Sequence, residues 1–213
     1  MTRIKVCGIM SESDLANAVS AGADAVGFVV EIDDSRHSLS AEQAAGLIRR
    51  VPVYAKSVAV ISPVDVNEAV QLAARTRADV LQVHGSLAPR DLAELKSQVH
   101  QKLVAAVAAG VASKEAMRYG MVADAVLLDT MVNGKLGGTG AVHDWNKSAE
   151  IARSLKVPVI LAGGLNPGNV AAAIEKVGPY AVDASSGLET DGKKDPQKIL
   201  SFIREVRACP RPH

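Results

Sequence analysis

The 213-residue sequence is poor in aromatic side chains, which make up 3% of it: two Phe, three Tyr and one Trp. Single-strand nucleic-acid binders stack bases on aromatic platforms, so that class is disfavoured at once. No block of one charge sign exists either. The 24 basic and 23 acidic side chains are interspersed and leave a formal charge of +1, which excludes the basic stripe of a nucleic-acid surface. Only two cysteines occur, Cys7 and Cys209, at opposite ends of the chain and in no metal or redox spacing. A disulfide framework is therefore not expected, and a reducing cytoplasm is. The longest weakly polar run, Leu103 to Ala112, is too short to cross a bilayer. Arg3 and Lys5 alternate with apolar residues, a strand pattern rather than a signal peptide. What remains is one well-buried domain over residues 1–213, with about 208–213 as a loose tail.

Short apolar runs are what the sequence does have. Ile4 to Cys7, Asp24 to Val30, Ser57 to Ile61, Asp79 to Val83, Leu103 to Val107, Ala125 to Leu128, Pro158 to Leu161 and Tyr180 to Asp183 read as eight strands. Helical stretches separate them, opening at Ser11-Glu12-Ser13-Asp14, near Ser40, from Pro63 and at Pro196, among others. Strands this short and this apolar belong in a parallel sheet covered on both faces. Eight β-then-α units predict a single-domain (β/α)8 barrel. A doubly wound sheet is the competitor, and it lacks an early G-x-G-x-x-G turn here. The even strands also begin alike, as Ala23-Asp24-Ala25-Val26, Ala78-Asp79-Val80-Leu81 and Ala123-Asp124-Ala125-Val126, with Pro179-Tyr180-Ala181-Val182 as a weaker copy. A quarter-barrel repeat explains this echo; the alternative is that Ala-Asp is simply a common way to open a strand.

In such a barrel, reactive groups gather where strands end. Gly163-Gly164 and Ser185-Ser186-Gly187 follow the last two strands, where small-residue turns expose backbone N–H groups to a phosphate. After the first of them, Asn166-Pro167 reads as the N-cap and first position of a helix. Cys7 ends the first strand and Asp129 follows the sixth, so their tips face each other across the mouth as a candidate base and acid. A free cysteine is commonly just a small buried hydrophobe, and Asp129 has an alternative as a cap on the loop Asn133 to Gly140, which could also close over a substrate. Lys5 shares the inward face with Cys7 and needs a partner, for which Asp183 is the natural candidate; that pair reads as structural. Arg36 in the second loop could grip a carboxylate bidentately or pair with Asp33 or Asp34. His84 ends the fourth strand as a polar lining residue. His37, His100, His143, His213 and Cys209 read as surface or tail residues.

Taken in order, Ile4-Lys5-Val6-Cys7-Gly8-Ile9, Gly22 to Phe28, Ser35-Arg36, Leu81-Gln82-Val83-His84-Gly85 and Leu127-Leu128-Asp129-Thr130 resemble the phosphoribosylanthranilate isomerases of tryptophan biosynthesis. The likeness continues through Gly137-Gly138-Thr139-Gly140, Asp144-Trp145, Ala162 to Pro167, Val182 to Glu189 and Gly192-Lys193-Lys194-Asp195. The resemblance implies an Amadori rearrangement of N-(5′-phosphoribosyl)anthranilate without metal or organic cofactor. It makes Asp129 the general acid, Cys7 the general base and Arg36 the carboxylate ligand. His84 joins Arg36 in substrate binding, and Gly163, Gly164, Ser185, Ser186 and Gly187 hold the phosphate. The expected partner is this small phosphosugar, with no nucleic acid or membrane, in a monomer or homodimer. The chain departs from the family at Glu31-Ile32-Asp33-Asp34, at Ser62 and at Val104-Ala105-Ala106-Val107, which bears on the anthranilate subsite. The related histidine-pathway isomerase and a phosphosugar-binding barrel without turnover are the alternatives; the first uses an aspartate where Cys7 stands, and the second needs neither Cys7 nor Asp129.

Overall fold

Apolar, β-branched runs become strands because such side chains fit a pleated surface covered on both faces. The computed structural model describes residues 1–85, 87–111, 113–132, 135–136 and 142–210. Its principal strands are β1 (Arg3–Cys7), β2 (Ala25–Val30), β3 (Lys56–Ile61), β4 (Val80–Val83), β5 (Lys102–Ala108), β6 (Ala125–Asp129), β7 (Val159–Leu161) and β8 (Ala181–Ala184). All pair in parallel with their neighbours, and β1 pairs both β2 and β8, so the sheet closes into the expected barrel. In register, Lys5 lies beside Ala25 on one side and Asp183 on the other.

The outer layer comprises α1 (Glu12–Ala21), α2 (Ala41–Ile48), α3 (Val66–Thr76), α4 (Pro89–Gln98), α5 (Ser113–Gly120), α6 (Trp145–Ser154), α7 (Val170–Val177) and α8 (Pro196–Ala208). Local capping chemistry sets several starts. Ser11 Oγ accepts from the Asp14 N–H at 3.1 Å. Ser40 and Gln43 form a reciprocal capping box, and Asp195 caps a helix whose first residue is Pro196. Two starts differ from expectation. Asp65 caps α3, which leaves Pro63 outside it. The Asn166 side chain accepts from the Gly168 N–H at 2.8 Å, so Asn166-Pro167 opens a turn and α7 begins later, behind Asn169. An Asx turn here satisfies the backbone before any helix forms.

Strand alternation divides the interior in two. Ile4, Val6, Val26, Phe28, Leu128 and Val182 point outward and are wholly buried against the helices, where Phe202 and Ile199 of α8 meet them in one continuous core. Each such side chain contributes roughly 1.5–3 kcal/mol. The opposite parity fills the barrel with two smaller apolar groups. Cys7, Val29, Val58 and Val60 form one; Val104, Ala106, Ala125, Leu127 and Ala162 form the other. Buried polar residues share this interior: Lys5, Gln82, Asp129 and Asp183.

The repeated Ala-Asp opening has a physical role. Asp24 accepts from the Ile4 N–H at 2.8 Å, Asp79 from the Ser57 N–H at 2.9 Å and Asp124 from the Leu103 N–H at 2.9 Å. Each carboxylate at the foot of an even strand thus clamps the start of the odd strand before it. Tyr180, in the weaker fourth copy, has no carboxylate and makes the backbone bond that Asp24 and Asp124 also make, its N–H donating to the Val159 carbonyl as theirs do to Ile4 and Leu103.

Candidate active site

Cys7 is the last residue of β1 and Asp129 the last of β6, three strands apart around the closed sheet. Both face inward at the C-terminal mouth, and Asp129 is 7% exposed. Burial pushes its carboxyl up to about 6; the Thr130 N–H, donating at 2.7 Å, opposes this, the Asp183 carboxylate adds to it and Lys5 opposes it again. A carboxyl with that affinity keeps its proton further up the pH scale than a free aspartate and can still give it up.

Lys5 bridges the site. Its ammonium donates to Asp183 Oδ2 at 2.6 Å, with both side chains almost fully enclosed. Burial would lower its pKa, but Asp183 and the Cys7 thiol outweigh that and push it up to about 12. Lys5 also hydrogen-bonds Cys7, where burial raises the thiol, Lys5 pulls it down, Asp183 raises it again and Lys194 pulls it down. The net shift is upward, which favours the thiol form of Cys7. Gly27 on β2 makes room for this pairing, because a Cβ there would stand 2.8 Å from Cys7 Sγ and 2.9 Å from Lys5 Cε. The expected Lys5–Asp183 pair therefore forms, and it also supplies the positive potential beside the thiol.

The two small-residue turns meet backbone on backbone. A Cβ on Gly187 would lie 2.0 Å from the Leu165 carbonyl oxygen, and one on Gly163 would lie 2.2 Å from Thr130 Oγ1. Gly163 and Gly164 adopt φ of 85° and 65°, which favour glycine. Ser186 and Gly187 open a single 3-10 turn, Ser186–Leu188, leaving their N–H groups at its free end. The Gly163-Gly164 and Ser185-Ser186-Gly187 turns are thus neighbours through Leu165 and Gly187, and Gly163 packs against Thr130, the residue after Asp129.

His84 lies on the mouth, its ring 2.7 Å from Gln82 Nε2. Burial and the charge of Lys5 lower its pKa to about 4, so it works as a neutral polar group. Arg36 forms an ion pair with Glu189, beyond β8. His37 and His143 need correction from surface residues. His37 Nε2 stands 2.9 Å from Glu189 Oε1, and His143 bridges Thr130 Oγ1 and Ser148 Oγ at 3.0 and 2.8 Å. Cys209 is half-buried at the end of α8 and donates to the Glu205 carbonyl; His100 is exposed as expected. His213 and loop residues 133, 134 and 137–140 lie outside the described residues. Sequence reasoning gives no site role to Glu189, Lys194 or His37, although the first two stand in stretches that carry the family resemblance. Lys194, 2% exposed, pairs with Glu189 at 2.5 Å and donates to Ser185 Oγ at 3.3 Å. Among the described residues no group of His, Cys, Asp and Glu has the arrangement of a metal site.

Fold and site together define the class: a (β/α)8-barrel enzyme with its ionisable groups at the C-terminal mouth. The chain belongs to the N-(5′-phosphoribosyl)anthranilate isomerase family, whose model matches residues 4–205. It is 52% identical over 209 residues to the N-(5′-phosphoribosyl)anthranilate isomerase of Methanothrix thermoacetophila, covering 98% of this chain and all of that one. Among solved structures, monomers generated from the dimeric Thermotoga maritima phosphoribosylanthranilate isomerase superpose with a TM-score of 0.82 at 29% identity, covering 97% of this chain and 99% of that one. A phosphoribosylanthranilate isomerase in complex with reduced 1-(o-carboxyphenylamino)-1-deoxyribulose 5-phosphate gives 0.81 at 30% identity and the same coverage.

Proposed function

We propose that this chain converts N-(5′-phosphoribosyl)anthranilate to 1-(2-carboxyphenylamino)-1-deoxyribulose 5-phosphate, an Amadori rearrangement in tryptophan biosynthesis. The raised pKa of the buried Asp129 carboxyl supports the reading, and the observation that carries it is the opposed placement of Cys7 and Asp129 at the strand ends of a chain that belongs to this family over residues 4–205. Asp129 gives its proton to the furanose ring oxygen, and the C1′–O bond breaks to leave a protonated Schiff base. Cys7, as thiolate, removes the C2′ proton, and the C2′–H electron pair neutralises the iminium nitrogen. The resulting enol then ketonises. Lys5 favours the thiolate at the moment it is needed. The cradle at Gly163, Gly164, Ser185, Ser186 and Gly187 takes the phosphate, Arg36 the anthranilate carboxylate, and His84 lines the sugar site as a neutral partner. Proton transfers of this kind call for no metal or organic cofactor. The protein acts in the cytoplasm as a monomer or homodimer.

A fluorescence assay with freshly generated phosphoribosylanthranilate, run beside the histidine-pathway substrate, tests this. Asp129→Asn and Cys7→Ala should each lower kcat by ~10²–10⁴ with KM nearly unchanged. Near-normal turnover in either variant removes that residue from the chemistry, and preference for the histidine-pathway substrate overturns the reaction itself.

A further inference from the structure

Glu189 is a buried carboxylate that the reaction above leaves unused. Its side chain is 3% exposed, yet it meets three basic groups: the Arg36 guanidinium, the Lys194 ammonium and the His37 ring. They come from two different loops. Arg36 and His37 follow β2, whereas Lys194 belongs to the short Glu189–Thr190 and Lys193–Lys194 hairpin after β8. Lys198 of α8 donates to the Glu189 backbone carbonyl at 2.6 Å and fixes the main chain beneath the carboxylate; burial and the neighbouring Lys194 and Arg36 lower the His37 pKa, so the charges on Glu189 come from Arg36 and Lys194. The cluster adjoins the phosphate cradle. Lys194 donates to the Ser185 carbonyl as well as to its hydroxyl, and a Cβ on Gly8 would touch both Ser185 Oγ and the His37 ring.

Exposure separates the members of this cluster. Lys194 is 2% exposed and Glu189 3%, but Arg36 is 56% exposed. Arg36 meets Glu189 through Nη2, and a guanidinium carries five donors, so this open side chain keeps donors for a ligand. An arginine held at one edge by a buried anion is pre-organised to take a planar carboxylate with the other edge. A free loop arginine would lose side-chain entropy on binding. One held by Glu189 has lost it already.

We propose that Glu189 is a positioning residue for substrate selection: it holds Arg36 at the rim, so that recognition of the substrate's aryl carboxylate depends on it. This rests on the reading of Arg36 as the carboxylate ligand. Lys194 belongs to the other half of the cluster and serves the phosphate end through Ser185.

The test compares phosphoribosylanthranilate with its analogue lacking the carboxylate, made from ribose 5-phosphate and aniline, across variants checked by circular dichroism. Arg36→Ala comes first. It should raise KM for phosphoribosylanthranilate by roughly tenfold to a hundredfold, the magnitude of a lost charge-assisted hydrogen bond, and leave the aniline analogue unchanged. Failure here removes the reading of Arg36. Glu189→Gln should reproduce that selective loss, with kcat for the analogue preserved. A uniform fall for both substrates would make Glu189 a structural tie only and overturn the proposal, as would wild-type discrimination. Should Glu189→Gln not fold because Lys194 is left unpaired, Glu189→Gln with Lys194→Met removes both buried charges together. The discrimination ratio, being insensitive to any shared loss at the phosphate end, still separates positioning from structural support.

Discussion

Asp129 shows how one residue can be costly to the fold and useful to the site. Its carboxyl is raised from an ordinary 3.8 to about 6 mainly by burial, so the folded protein holds that proton more tightly than the unfolded chain. Stability therefore falls as pH rises between those values, because above about 6 the folded state carries a buried anion. The penalty amounts to about 3 kcal/mol at neutral pH and vanishes below the unfolded value. Asp129→Asn should accordingly raise the melting temperature at pH 7 while abolishing most turnover, and the gain should shrink toward zero at pH 4. A melting temperature unchanged at pH 7 would mean that the carboxylate is better solvated than its surroundings suggest. The candidate acid and base are legible in the sequence, because strand parity and position at a strand end define which side chains reach the mouth. The partners of Glu189 are not. Lys194 stands almost a full chain length from Cys7 and Lys5, so no local pattern ties it to the site, and His37 looks like any histidine in a polar loop.

Elements divide by the end of the barrel they occupy. The clamps made by Asp24, Asp79 and Asp124 lie at the strand starts, remote from the mouth, and act on the backbone of the neighbouring strand. Asp79 also accepts from Ser57 Oγ at 2.7 Å and pairs with Lys56 at 3.0 Å. Burial raises its pKa, but these donors win and the net shift is downward. Such a group stabilises the fold above the unfolded value and loses that contribution as pH falls through its depressed folded value. Asp79→Ala should cost about 1–2 kcal/mol in denaturant unfolding at pH 7, given its partial exposure. Turnover should stay within about twofold of wild type, since the clamp lies at the opposite end of the barrel from the chemistry. A large loss of kcat with intact stability would contradict this division. The Ala-Asp echo is visible in the sequence, but its purpose follows only once neighbouring strands are in register. Helix starts are readable at Ser11 and Ser40, where a serine caps the first turn, whereas at α3 the capping side chain is Asp65, two residues past Pro63. The start of α7 departs from expectation because Asn166 has two local options, and its turn with Gly168 leaves the N-cap position to Asn169.

Closure of the whole barrel brings Lys5 and Asp183 together across 178 residues of chain. The pair joins the first strand to the last and lies against the Cys7 thiol, so stability and activity depend on it for different reasons. Lys5, raised to about 12, keeps its charge throughout the working range; its contribution is complete below the unfolded value of 10.5 and is lost only as pH rises through the folded one. Removing a single partner leaves an uncompensated buried charge, at a cost of about 3–5 kcal/mol. Lys5→Met and Asp183→Leu should each fall in that range by urea unfolding. The double variant Lys5→Met with Asp183→Leu should recover most of the loss, because two apolar side chains of similar size fit between the interior clusters. Activity should not recover. The double variant loses Lys5, which lowers the Cys7 thiol through both its charge and its hydrogen bond, together with Asp183, whose smaller effect raises it, so the balance shifts upward and the thiolate becomes scarcer at every pH below its titration. Iodoacetamide alkylation of Cys7 should then slow by about tenfold or more at pH 8, with the pH midpoint displaced upward. Alkylation at the wild-type rate in the refolded double variant would show that the thiol draws its reactivity from elsewhere, and the buried pair would be reduced to a fastener between the first and last strands.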